Sequence, residues 1–495
     1  CVRICHEVQG VGALGYVYRG LQTVIKPSLE LPLSKTQCEF CGQCVSSCPT
    51  GALSVKVPMP KPGPWKTKKT ASVCPHCSIA CDIVLNTTEY GLVKVTAPLE
   101  SEINMGNLCF KGIFGYTIYN SFDKRILAPM VRENGRLVKT SWENAYNSAV
   151  WGLSNAIKEG EARSIACLIS PKITNEDAFA AFRLCRTVLG TDKIAVLTPE
   201  PENPVPFIGS SRLSSFKGIG ERDFILLLNI DPALDYPVLG NMLRKAVKDG
   251  RSEIGIVNNK PTRLDDTAVC TLHISPKKIV DLLELINLAS EIIKRKKRDQ
   301  LKILEKILNK SLTKPEKLLS FIVKFIKAEN PLILCDGKRI NSAEMELIET
   351  IADAVGCDFE VLYPAGNYMG LMKLGVIKKD PNSRKIYEDI KKGKIKALFI
   401  IADEDGVPSE YIENPDIFSI VITPKYQEAL KNAGVVFPGT AYPETRGSCI
   451  NSEGRIRRLN RSFSPVSGRE VWEIVSAVAG KISDRWDLNC YDDVL

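Results

Sequence analysis

The chain has 495 residues, room for two to four domains at roughly 100–200 residues each. Apolar residues make up 44% and charged residues 25%, which excludes a mainly disordered or fibrous chain, and no apolar run approaches the roughly 18 residues of a membrane-spanning helix. Lys+Arg 66 against Asp+Glu 57 leaves a net charge of +9, a mild excess for this length, so no nucleic-acid partner is expected.

Cysteine is the informative residue: of 17, ten fall within the first 109 positions, in spaced sets. The chain opens Cys1-Val-Arg-Ile-Cys5, a C-x3-C. Gly10-Val-Gly12-Ala-Leu-Gly15 follows and matches G-x-G-x-x-G. A dinucleotide fingerprint needs a strand before it and a long helix after it, whereas here a cysteine stands just upstream and a cysteine run follows, so the segment reads as a turn. Next come Cys38, Cys41, Cys44 and Cys48 with Pro49, the C-x2-C-x2-C-x3-C-P run of bacterial ferredoxins. Three closely spaced thiolates wrap one corner of a [4Fe–4S] cubane, and the fourth ligates a neighbouring cluster. The expectation is one complete cluster on Cys5, Cys38, Cys41 and Cys44. Cys1 and Cys48 would serve a second cluster whose other ligands lie upstream, in an N-terminally truncated chain. Zinc sites prefer two separated pairs, and a disulfide framework would need an oxidising compartment.

Residues 1–57 are thus expected to form a ferredoxin-like module. Residues 58–70 alternate prolines and then turn to lysines, which predicts an extended linker without a core. A second lobe is expected over 71–128. It carries Cys74-Pro-His76-Cys77-Ser-Ile-Ala-Cys81 and, after 27 residues, Cys109. Spacing alone admits either a cubane or zinc, and the nearby ferredoxin run favours the cubane, since redox centres work in chains. His76, inside C-x2-C, is placed to hydrogen-bond a cluster sulfur and tune its potential, four cysteines already sufficing as ligands.

From about 129 to 482 the texture becomes α/β. Short apolar runs occur at Ser164–Ser170, Phe224–Leu228, Ile254–Val257, 331–335, Ala397–Ile401 and Ile420–Ile422, with amphipathic segments between them. Buried parallel strands with crossover helices read this way. A Leu/Ile/Lys-rich segment at 277–328 predicts a helical pair. The body is expected to hold two subdomains, one at about 166–327, followed by a tail at 483–495. His6, His273, Cys167, Cys185, Cys270, Cys335, Cys357, Cys449 and Cys490 show no ligand spacing and read as ordinary side chains.

C-x2-C-x3-C-x27-C followed by Phe110-Lys111-Gly112 resembles the N-terminal iron–sulfur lobe of the molybdopterin oxidoreductases. Arg125-Ile-Leu-Ala-Pro129-Met-Val-Arg132, Ser141-Trp142-Glu143-Asn144-Ala145, Thr174-Asn175-Glu176-Asp177, Gly434–Pro438, Glu444–Gly447 and Asn451–Arg455 look like later segments of that family. A two-cluster ferredoxin module joined to this body is shared with formate dehydrogenase alpha subunits, the G-type subunits of NADH-quinone oxidoreductases and related hydrogenase-linked subunits. The resemblance implies that Lys111 sits between cluster and pterin, where a cation raises the potential of both. It also implies three [4Fe–4S] clusters in the full-length protein, of which this chain holds one ferredoxin cluster only in part.

Departures from the pattern point away from molybdenum. Where catalytic members supply a metal-binding Cys or selenocysteine with an adjacent His, residues 195–207 hold neither Cys nor His. Ser210 and Ser211 are the remaining candidate ligands there. The family's acidic nucleotide-contact segment reads Asn258-Asn259-Lys260-Pro261, and no β-barrel follows Trp472. Asp231-Pro232 and Asp235-Tyr236-Pro237 keep the look of the cofactor loop. The resulting expectation is an electron-relay subunit of the NADH-quinone oxidoreductase type with no bound molybdopterin. Its partners would be a flavin- and NADH-binding subunit and other iron–sulfur subunits, and it would be cytoplasmic and reach a membrane only through them. The alternatives are a Mo- or W-dependent formate dehydrogenase alpha subunit and a hydrogenase-linked NAD(P)H reductase subunit.

Overall fold

The computed structural model describes residues 1–56, 63, 66–119, 124–160, 162–198, 215–294, 315–377 and 382–493. The short apolar runs form strands. Ile165–Ile169, Phe224–Leu228, Leu332–Asp336 and Ala397–Ile401 are buried at every position, as strands covered by helices on both faces must be. They are the centres of two sheets. The larger has seven strands in the order Arg136–Lys139, Met130–Glu133, Val435–Pro438, Phe418–Thr423, Ala397–Ile401, Ile165–Ile169, Ile194–Val196. It is parallel apart from the edge hairpin formed by Met130–Glu133 and Arg136–Lys139. The smaller sheet is wholly parallel, in the order Cys270–His273, Glu253–Asn258, Phe224–Leu228, Leu332–Asp336, Asp358–Leu362.

All five strands of the smaller sheet fall in sequence between Ile194–Val196 and Ala397–Ile401, so one sheet is inserted into the other. This differs from the subdomain expected at about 166–327. Ile165–Ile169 pairs with Ala397–Ile401, with Cys167 opposite Phe399, and the inserted sheet extends to Leu362. An apolar run says that a strand is buried and not which sheet it joins, because that choice rests on partners far away in sequence.

Local chemistry sets the helices. Trp142–Gly160 buries Ala145, Tyr146, Ala149, Gly152, Leu153 and Ala156, a stripe at helical spacing. Ser342–Val355 starts at an Asn341/Glu344 capping box and stops at Gly356, which is left-handed. Ile279–Lys294 and Pro315–Lys327 supply the helical pair expected at 277–328, and the residues between them lie outside the described set. Gly255 lets the second of these helices approach: a Cβ there would overlap the Phe321 ring.

The cysteine lobe is a three-stranded antiparallel sheet, Lys68–Val73, Asp82–Thr88 and Gly91–Thr96. Its first strand takes up the last three residues of the stretch expected as linker. The rest of that stretch, from 58 to 65, lies outside the described residues except Gly63. Ahead of it, the first module holds a small hairpin, Leu14–Val17 with Val24–Pro27.

Each parallel sheet reverses its winding once, between Ile165–Ile169 and Ala397–Ile401 in the larger and between Phe224–Leu228 and Leu332–Asp336 in the smaller. Open α/β sheets form a crevice at such switch points, outside the carboxyl ends of the strands.

Candidate functional site

Four cysteines of the first module come together. Cys5 sits in the helical turn Ile4–Val8, and its sulfur accepts the Ala13 N–H at 3.2 Å. Gly10 and Gly12 have positive φ and make the turn between them, so G-x-G-x-x-G is a turn here. Cys38 Sγ accepts the Phe40 N–H at 3.4 Å. Burial pushes up the thiols of Cys38, Cys41 and Cys44, Cys41 to about 12, and the cysteines raise one another: Cys5 acts on Cys38 and Cys44, and Cys44 and Cys38 act on Cys41. Cys48 stands past the end of the Gln43–Ser46 turn. Its thiol is pulled down to about 7 by Thr50 Oγ1 at 3.5 Å and by nearby backbone N–H groups. Cys1 lies one turn before Cys5, its carbonyl accepting the Cys5 N–H at 2.9 Å.

The second set is enclosed more deeply. Cys74 ends one strand and Cys81 begins the next, tied by Cys74 N–H to Cys81 O at 2.9 Å, so both lie in the connecting loop. Ala80 takes a positive φ of 52° to close that loop. Cys109 caps the short helix Phe110–Phe114, whose Gly112 leaves only 3.9 Å between an added Cβ and Cys74 Sγ. Burial drives Cys74 and Cys81 far above the ordinary thiol range and Cys77 to about 12, with Cys109 and the neighbouring cysteines adding to each. Without a cation these thiols stay protonated; iron binding would displace the protons. Among the described residues no three His, Cys, Asp or Glu side chains converge as ligands of a single ion would. The cysteines of a cubane each bind a different iron and need not converge on one point.

The loop is anchored to the end of the smaller sheet and to the turn of the hairpin Gly447–Ile450 with Ile456–Leu459. Ser78 N–H donates to Tyr363 O at 3.0 Å, Ser78 Oγ accepts the Tyr363 N–H at 2.8 Å, and the Ser452 N–H reaches Ser78 O at 2.9 Å. His76 is half-buried with its Nε2 enclosed, 3.2 Å from an added Gly115 Cβ, and its ring is edge-on to Tyr442 at 5.9 Å. That nitrogen has no hydrogen-bond partner among the described residues. Burial, then Lys172 and Lys111, lowers the His76 pKa to about 3, so the ring is neutral.

The two cysteine groups dock on each other and on the smaller sheet. Gln9 Nε2 donates to Asn107 Oδ1 at 2.5 Å and Gln43 Nε2 to Gly106 O at 2.7 Å. Phe40, between Cys38 and Cys41, meets Phe110, next to Cys109, edge to face at 6.2 Å. Arg244 forms a buried ion pair with Glu39 and donates to Asn241 Oδ1 at 2.9 Å.

A cavity of about 440 Å³ lies where these pieces meet the switch point of the smaller sheet. Cys38, Cys77, Cys109 and Lys111 line one side, and Asp235, Tyr236, Arg263, Asp336, Lys338 and Arg339 line the other. Lys111 is exposed there and is an electrostatic neighbour of Cys77 and His76. The switch point of the larger sheet is different: Lys172 is ion-paired to Asp403 at 3.6 Å and also to Asp405, and Ser170 donates to Asp403. Sequence reasoning missed Glu39, Arg244, Lys172 and Glu404. The run Asp403-Glu404-Asp405 directly after a buried strand was the available signal for the last. Ser210 and Ser211 lie outside the described residues.

Comparison with known proteins agrees with this layout. The molybdopterin oxidoreductase family profile matches residues 125–481, the molybdopterin oxidoreductase Fe4S4 domain 67–121 and a 4Fe-4S binding domain 32–54. The chain is 32% identical to the second G-type subunit of the NADH-quinone oxidoreductase of Rhizobium meliloti (strain 1021), over 56% of this chain and 32% of that protein. It is 25% identical to NADPH-Fe(3+) oxidoreductase subunit alpha of Geobacter sulfurreducens, over 98% and 64%. NADH-quinone oxidoreductase subunit 3 of Thermus thermophilus is also 25% identical, over 95% and 57%. The chain thus spans less than two thirds of the length of each of these relatives. Acetylene hydratase from Pelobacter acetylenicus shares the fold, with a TM-score of 0.63 at 14% identity over 84% of this chain and 69% of that one.

Proposed function

We propose that this chain, which belongs to the molybdopterin oxidoreductase family, is an iron–sulfur electron-transfer subunit of an NADH-quinone oxidoreductase-like complex. Cys5, Cys38, Cys41 and Cys44 hold one [4Fe–4S] cluster, and Cys74, Cys77, Cys81 and Cys109 hold another. Electrons arrive from a flavin- and NADH-binding partner and pass between the clusters one at a time. The observation that carries this reading is the docking of the two cysteine groups through Phe40 and Phe110, with rings 6.2 Å apart. Relay chemistry needs no general acid or base; the protein fixes spacing, burial and potential. No described helix is long and apolar enough to cross a membrane, so contact with one would run through partners.

The residues around the 440 Å³ cavity fit a phosphate-bearing pterin, since Lys111, Arg263, Lys338 and Arg339 could neutralise a pyrophosphate. Such a group would supply a further redox centre beside Cys77 and Cys109. That cation set favours a second reading, a Mo- or W-dependent oxidoreductase of the formate dehydrogenase kind. Against it stand the ion pairs of Lys172 in the other crevice and a segment 195–207 with neither Cys nor His.

Metal analysis of the full-length protein, purified anaerobically, decides between them. The relay reading expects abundant Fe without Mo or W, and Cys81→Ser removes about four Fe per chain. Stoichiometric Mo or W selects the second reading, and zinc without iron overturns both.

A further inference from the structure

The cluster of charge at the switch point of the larger sheet has no part in electron relay as described above. Three consecutive carboxylates, Asp403, Glu404 and Asp405, follow the strand Ala397–Ile401, and Lys172 follows its neighbour. The Lys172 ammonium is committed to Asp403 and Asp405. Glu404 is left without an ion-pair partner among the described residues; its Oε1 accepts the Tyr442 N–H at 2.8 Å. The same carboxyl lines a cavity of about 310 Å³ with Thr117, Tyr119, Lys124, Arg125 and Lys425. It is therefore deep among protein atoms and still open to solvent along one side. Of the cations there, Arg125 is held by Glu444 at 2.8 Å in a buried pair, Lys124 is exposed and Lys425 is half-buried.

Behind Glu404 lies the cysteine lobe. Tyr442 packs edge-on to His76 at 5.9 Å, and His76 directly precedes Cys77; Tyr119 closes on Tyr442 at 4.8 Å. One aromatic layer separates the carboxyl from the cluster loop. Charges across such a layer interact far more strongly than in water.

We propose that Glu404 is a proton-accepting site coupled to the cluster on Cys74, Cys77, Cys81 and Cys109, so that one-electron reduction of that cluster draws a proton from solvent onto this carboxylate. The inference rests on the relay reading. The electron comes from the cluster of the first module, a one-electron donor. The reduced cubane gains one negative charge, and protonation of Glu404 removes one. Burial, then Asp403, pushes the Glu404 carboxyl up to about 7 even before the electron arrives, while Lys172 works the other way. Other groups facing it do not titrate with it: His76 is neutral, Tyr119 and Tyr442 are driven far above the usual phenol range, and Lys172 is held charged by Asp403 and Asp405 against the cost of its burial.

The experiment is a potentiometric EPR titration of the full-length protein carrying Cys41→Ser and Cys48→Ser, which remove both clusters of the ferredoxin module and leave a single signal to follow. The midpoint potential should be flat below about pH 6 and fall above pH 7, approaching about 59 mV per pH unit, a tenfold change in proton activity per step. Glu404→Gln keeps the acceptor for the Tyr442 N–H and should make the profile flat. Proton uptake on reduction by electrochemically generated methyl viologen radical, a donor that releases no proton, followed with an indicator dye in weak buffer, tests the same point without that substitution. A pH-independent potential in the parent, a slope that survives Glu404→Gln, or reduction without proton uptake overturns the proposal. Absence of iron from the lobe overturns the relay reading itself, an outcome distinct from an iron-loaded lobe with a flat profile.

Discussion

Gly42 begins the turn that carries Cys44, with a left-handed φ of 69°, and an added Cβ would lie 2.6 Å from Ile113 Cδ1 on the helix that follows Cys109. Gly42→Ala is expected to cost about 1–3 kcal/mol, through overpacking and backbone strain, and to lower the urea midpoint. Asp336, at the rim of the larger cavity, is pushed up to about 6 by burial. A raised carboxyl favours the folded state below its unfolded value of about 4 and loses that contribution as pH rises toward 6. Asp336→Asn should therefore stabilise the protein at pH 7.5, by at most about 3 kcal/mol, and by about half as much at pH 5, as compared by urea denaturation. The cysteine sets proposed as ligands were legible in the sequence because their spacing is local to the chain. Glu404 and Arg244 were not, because their meaning comes from partners 38 and 205 residues away, Tyr442 and Glu39.

At the scale of elements, the first module is held by few but buried polar contacts. Arg244→Ala would leave Glu39 charged, buried and unpaired, a loss of about 3–5 kcal/mol. The expected result is faster proteolysis and faster amide exchange confined to residues 1–56, with the body protected. The six apolar runs read from the sequence lie within about two residues of strands, since consecutive apolar residues between polar stretches are buried, whereas Ile194–Val196, Cys270–His273, Asp358–Leu362 and Val435–Pro438 were not read as strands. Pairing was not legible: Cys270–His273, which is only partly buried, and Val435–Pro438 join sheets through neighbours that their own sequence does not name.

At the scale of the molecule, the inserted sheet shares its core with its host. Ile165 and Phe399 of the larger sheet belong to the same apolar cluster as Phe224 and Ile333 of the smaller one. Calorimetry of the protein is therefore expected to show one cooperative transition for the body, with calorimetric and van't Hoff enthalpies in agreement; two resolved transitions would show that the shared core does not couple the sheets. The α/β class followed from alternating runs, but the insertion did not, since nothing in the run at Ile165–Ile169 announces that its partner begins at Ala397.

That insertion sets a clock during synthesis. The cysteine loop is clasped by Tyr363 and Ser452, and the latter emerges from the ribosome 378 residues after Cys74. At 5–20 residues per second the delay is roughly 20–80 s. Throughout it the loop lacks its final cover, and once the body closes Cys74 and Cys81 retain only 6% of their exposure. On the proposed ligand set, the order of translation leaves the loop open to iron for tens of seconds before Cys74 and Cys81 are covered.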